Sequence, residues 1–156
     1  MHARAFLALV TTAIAAGCGA TDHARHSGHE EPPDDARQAV AFPEPMRTHT
    51  LANMRDHLLA LQEIQQGLAE GAYDRVAEIA EQRLGMTSLR AHGAHDVAKF
   101  MPEGMQAIGT EMHRSASRFA VAAVDSGASG NVKPALAALA RVTQQCVACH
   151  ASYRMK

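Results

Sequence analysis

From Pro45 onward the apolar residues recur at intervals of three and four, broken only where glycine or proline punctuates the chain. That spacing constrains the fold more than any other feature, because it is the period of a helix with one buried face. Leu51, Met54, Leu58, Leu61, Gln65 and Leu68 form the predicted inward seam of a first helix, with Arg55, Asp56, Glu63 and Gln66 off it. Gly67 and Gly71 weaken its end. Tyr73-Asp74 opens a second helix carrying Val76, Ile79, Ala80 and Arg83. Gly85, Gly93 and Pro102 then predict a break or irregular turn between Gly93 and Pro102. A third helix starts near Pro102-Glu103, buries Met105, Ile108, Met112, Phe119 and Ala123, and stops at Gly127 to Gly130. Asn131 can cap a fourth, with Pro134 in its first turn and Leu136, Leu139, Val142, Cys146, Cys149 and Tyr153 facing inward. Four helices with short connections predict an all-α, antiparallel up-down-up-down four-helix bundle. Composition agrees: 156 residues, 47% hydrophobic but 4% aromatic with no Trp, suit one domain built on aliphatic packing. A formal charge of -1 and the lack of any basic run set nucleic-acid binding aside.

The chemistry concentrates near the C-terminus, at Cys146-Val147-Ala148-Cys149-His150. C-x-x-C-H is the signature for covalent c-type haem attachment. Two thiols three positions apart share one face of a helix, where each can add across a haem vinyl group, and His150 follows as proximal iron ligand. The competing readings are weaker. A zinc site needs about four ligands, and the only other cysteine, Cys18, is far away near the N-terminus. A redox dithiol would follow a strand, and no strand-like run precedes this motif.

The motif continues as CxxCHxxYR through Arg154, with two residues after it. This late position resembles the class II cytochromes c, cytochrome c-prime and its low-spin relatives, over residues 43–156. The resemblance implies an antiparallel four-helix bundle holding one haem c at one end, and dimers in some members. It also implies that the sixth iron position is filled from the first helix. The string Met54-Arg55-Asp56-His57, nineteen residues before Tyr73-Asp74, resembles the ligand segment of the low-spin relatives and makes Met54 the expected axial ligand. Aligning Arg47 with the arginine that c-prime proteins carry four residues before the distal position would instead place Leu51 there. His57 and His49 are the remaining alternatives. Arg47 and Arg154 are candidates for the haem propionates, since guanidinium matches carboxylate bidentately. Tyr153 is expected against the haem edge.

The sixth ligand separates two functions. A thioether keeps the iron six-coordinate and suits electron transfer, whereas an apolar Leu51 leaves a position open to nitric oxide or carbon monoxide. A third reading, a Met/His-rich metal-binding lipoprotein, would leave Cys146 and Cys149 as thiols. No nucleophile and base pair or carboxylate dyad stands out, so the expectation is an electron carrier serving other redox proteins, not an enzyme.

Residues 1–17 read as an export signal, with Arg4 before the short apolar run Ala5 to Ala16. Ala15-Ala16-Gly17-Cys18 resembles a bacterial lipobox, which implies acylation of Cys18 and attachment to a membrane; Gly19 after it suggests the outer membrane, facing the periplasm. Residues 18–42, with His23, His26 and His29 and the run Glu30 to Asp35, read as a flexible tether.

Overall fold

The computed structural model describes residues 35–156. The signal, Cys18 and the three tether histidines lie outside the described residues. Proline and glycine set the element boundaries. Pro45 lies in the first turn of α1 (Glu44–Glu70), where its missing N–H costs nothing, and Glu44 complements the positive helix start. Gly71 ends α1 in the left-handed conformation, φ 73°, donating its N–H to the carbonyls of Gly67 and Leu68. α2 (Tyr73–Arg83) follows at once. The expected irregular stretch is a 3-10 turn at Met86–Leu89 and a short α3 (Ala94–Ala98), entered through Gly93 at φ 60°. Pro102 precedes α4 (Glu103–Ser129), and Gly130 closes it. α5 (Lys133–Ser152) carries Pro134 in its first turn, and the Asn131 side chain accepts a hydrogen bond from the Lys133 N–H.

The chain is therefore all-α in class, with four long helices feeding one core. α4 packs against α2 and α5, and α1 against α2. Phe119, Ile64 and Val76 are fully buried there, with Ala60, Ala80, Ala116, Ala123 and Ala135 between them. Small residues bring backbones close: a Cβ on Gly67 would stand 2.6 Å from Val76 Cγ2.

Two inward faces differ from the expected ones. Leu58 is 70% exposed, and α1 buries Thr50, His57, Ala60, Ile64, Gly67 and Leu68 instead. On α5, Leu136 is exposed while Ala135 is fully buried. A hydropathy stripe is weighted by side-chain size, whereas the contact line follows where alanine and glycine let helices approach. Arg83 fixes the rotation of α1: its guanidinium donates to Asp56 Oδ1 at 2.5 Å, to the Asp56 carbonyl at 3.1 Å and to Glu63. With Asp56 held outward toward α2, the next residue, His57, turns in.

The tether expectation fails over its last residues. Gln38–Val40 forms a strand, β1, paired in parallel with β2 (Tyr153–Met155) in the register Gln38 to Tyr153 and Val40 to Met155. Val40 and Phe42 are buried in a second small core with Val97 and Met105, and Phe42 also meets Phe100 at 6.5 Å between ring centroids. The backbone partner and the apolar slot lie at the far end of the sequence, so nothing local announces them. Phe42→Ala should cost about 3–5 kcal/mol in denaturant unfolding, the usual loss for a buried phenylalanine. A tether residue would give a change within about 0.5 kcal/mol.

Candidate functional site

The β1–β2 pairing draws the start of α1 and the end of α5 to the same end of the molecule. Between them, the 89–101 segment and the first half of α4, a cavity of about 410 Å³ opens, a volume in the range of cofactor sites. α1 lines it with Thr50, Leu51, Asn53, Met54 and His57, and the connecting segment with Leu89, His92, Val97 and Met101. α4 adds Met105, Met112 and His113, and the C-terminal stretch adds Cys149, His150, Tyr153, Arg154 and Met155. Apart from the imidazoles, the wall is largely thioether and aliphatic.

Most of the sequence-derived candidates meet here. Leu51, Met54, Cys149, His150, Tyr153 and Arg154 all line the cavity. Met54 stands near its mouth, 36% exposed. Tyr153 leans on the first turn of α4, where a Cβ on Gly104 would come within 2.5 Å of its hydroxyl. Cys146 is one turn back from the wall, half-buried against the main core, its Sγ 3.6 Å from the Val142 carbonyl. Both Cys146 and Cys149 are free thiols whose pKa burial pushes up, so they rest protonated. Arg47 is half-buried but does not line the cavity.

The 35–37 segment adds a clasp. Arg37 donates to the His150 carbonyl at 3.2 Å and chelates Asp35, while Asp35 lies 3.5 Å from the Arg154 guanidinium. The Arg37 guanidinium beside Asp35 holds that carboxyl down at about 2. Arg154 thus reaches the cavity edge already oriented by a carboxylate. All three side chains are exposed, and their pairing contributes little to stability.

Deeper in, three imidazoles gather. His57 and His113 are each 8% exposed, and the half-buried His92 stands beside both, with ring centroids 4.8 Å from His57 and 5.4 Å from His113. Burial keeps them neutral: the pKa of His57 is pushed down to about 4, by desolvation first and then by its two neighbours, and those of His92 and His113 are lowered by the same first cause. His49 is not part of the cluster; its Nε2 lies 3.0 Å from the His92 carbonyl, which Asn53 also donates to. His113 escaped the sequence reading, although its place three residues before the buried Ala116 puts it on the apolar face. Arg37 escaped it because its segment read as tether.

No protein-family model matches this chain, and neither a curated protein nor a solved structure matches it significantly.

Proposed function

We propose that the chain is a periplasmic c-type cytochrome that passes single electrons between redox partners, held to a membrane through an acylated Cys18. The observation that carries this reading is the placement of Cys149 and His150 on the wall of an apolar cavity of cofactor size, one turn from Cys146. In it, α1, α2, α4 and α5 make an up-down-up-down bundle with the haem at the end where α5 finishes.

The residues present fit such a group. Cys146 and Cys149 would hold haem c through two thioether bonds, and His150 would supply the proximal nitrogen. Bound there, the haem supplies the one-electron couple. Met54 offers a thioether for the sixth position, which favours electron transfer over gas binding. The Met101, Met105, Met112 and Met155 side chains exclude water from the cavity wall, and low polarity strengthens every charge interaction inside it. Tyr153 and Arg154, fixed by Gly104 and Asp35, are placed to orient the cofactor's edge and a propionate.

Protein matured with cytochrome c assembly machinery should show a reversible one-electron couple, and its ferrous form should resist carbon monoxide. Avid carbon monoxide uptake by the wild-type protein would shift the function to gas binding with Leu51 over the iron. Among the described residues no helix is long and apolar enough to cross a membrane, so attachment rests on Cys18 in this reading.

A further inference from the structure

The imidazole cluster lines the inner wall of the same cavity but supplies none of the ligands assigned above to the proposed cofactor, and its hydrogen bonds leave it chemically incomplete. His113 Nδ1 lies 2.8 Å from the Leu84 carbonyl. A carbonyl only accepts, so Nδ1 carries the proton and Nε2 presents a bare lone pair. Ser88 donates its hydroxyl hydrogen to the Gly85 carbonyl at 2.7 Å, so its oxygen accepts from His92 Nδ1, 3.3 Å away. His92 Nε2 is then bare as well. The third member, His57, buries its Nε2 with no hydrogen-bond partner. Of the three nitrogens only His57 Nε2 is fully desolvated without a partner, which costs free energy. With the bare nitrogens of His92 and His113 beside it on two other chain segments, one common electrophile would satisfy all three.

We propose that His57, His92 and His113 bind one divalent transition-metal ion of the zinc and copper class at the inner wall of the cavity. Neutral imidazole is the favoured ligand for these ions, and the Leu84 carbonyl and Ser88 supply the outer hydrogen bonds that fix ligand tautomers in such sites. The spacing is right in scale. Nitrogens about 2.0–2.1 Å from a zinc ion place ring centroids roughly 5 Å apart, against 4.8, 5.4 and 6.2 Å here. Among the described residues no three His, Cys, Asp or Glu side chains are already posed as a metal group, so uptake turns the rings about their side-chain bonds. His92, half-buried on the turn before Gly93, has the most freedom to do so. Three protein nitrogens leave a fourth position open toward the cavity.

The inference does not depend on the haem reading, and its test keeps the two apart. Full-length protein with His23, His26 and His29 replaced by alanine, and Cys146 and Cys149 by serine to remove competing donors, is dialysed against zinc(II) at neutral pH. Elemental analysis should find one zinc per chain, with a raised melting temperature. His57→Gln and His92→Gln should each abolish retention, and Ser88→Ala should weaken it by roughly 10–100-fold. Far-UV circular dichroism establishes that each variant is folded; should His57→Gln not fold, the less buried His92→Gln carries the test. Zinc absent from the parent protein, or held equally by the histidine variants, overturns the proposal. Absence of haem from the cysteine-intact chain would leave the zinc result untouched.

Discussion

Replacing Cys146 and Cys149 together by alanine should leave no haem on the protein after acid-acetone extraction, where the wild-type chain keeps its full complement. The effect is all-or-none because thioether bonds survive denaturation, while axial ligation by His150 alone does not. Under the proposed attachment either thiol alone would still form one thioether, which is why the double variant is the informative one. Both side chains are small and half-buried near the end of α5, so their direct contribution to packing is modest. Any large fall in melting temperature would therefore report loss of the proposed cofactor, since a ligand bound only by the native state stabilises it. Colour retained on a denaturing gel by the double variant would contradict thioether attachment at these residues.

Met54→Leu should turn a low-spin spectrum into a high-spin one, erase the ferric methionine-to-iron charge-transfer band and open the ferrous protein to carbon monoxide. Three steps lead there. α1 begins beside the end of α5, because β1 pairs with β2 just before α1 starts. Leu51 and Met54 both reach the cavity that holds His150. An α-helix rises about 1.5 Å per residue, so the two are displaced by roughly 4.5 Å and only one can meet the iron. Of the pair, only Met54 carries a donor atom. The substitution preserves volume and should cost under about 1.5 kcal/mol in stability, so the spectral change stands clear of unfolding. A spectrum that stays low-spin in the variant would remove Met54 from the axial position.

Most helix boundaries were legible because proline, glycine and asparagine act locally: Pro45, Gly71, Pro102, Gly130 and Asn131 mark them in the sequence and in the structure alike. α2 instead ends at Arg83 with no such residue at its cap, and its end was not legible. Helix faces were less so. Leu58 and Leu136 read as inward by hydropathy, yet Ala60 and Ala135 take the contact lines because close approach of neighbouring helices selects small side chains. At the site, the motif singled out Cys149 and His150, and Leu51 and Met54 of α1 line the same cavity. What stayed hidden depends on long-range partners. Val40 and Phe42 are buried only because the C-terminal strand and the 97–105 region receive them. The imidazole cluster needs α1, the turn before Gly93 and α4 to meet, and no spacing within one helix announces that.

The central claim is a haem joined to Cys146 and Cys149, and the mass of the denatured chain tests it most directly. Protein exported alongside cytochrome c maturation machinery should weigh one haem more than its processed polypeptide, with the added mass on the peptide that carries Cys146 to His150. A chain that matures, exports and folds yet shows only polypeptide mass, with both thiols open to alkylation, would contradict the account.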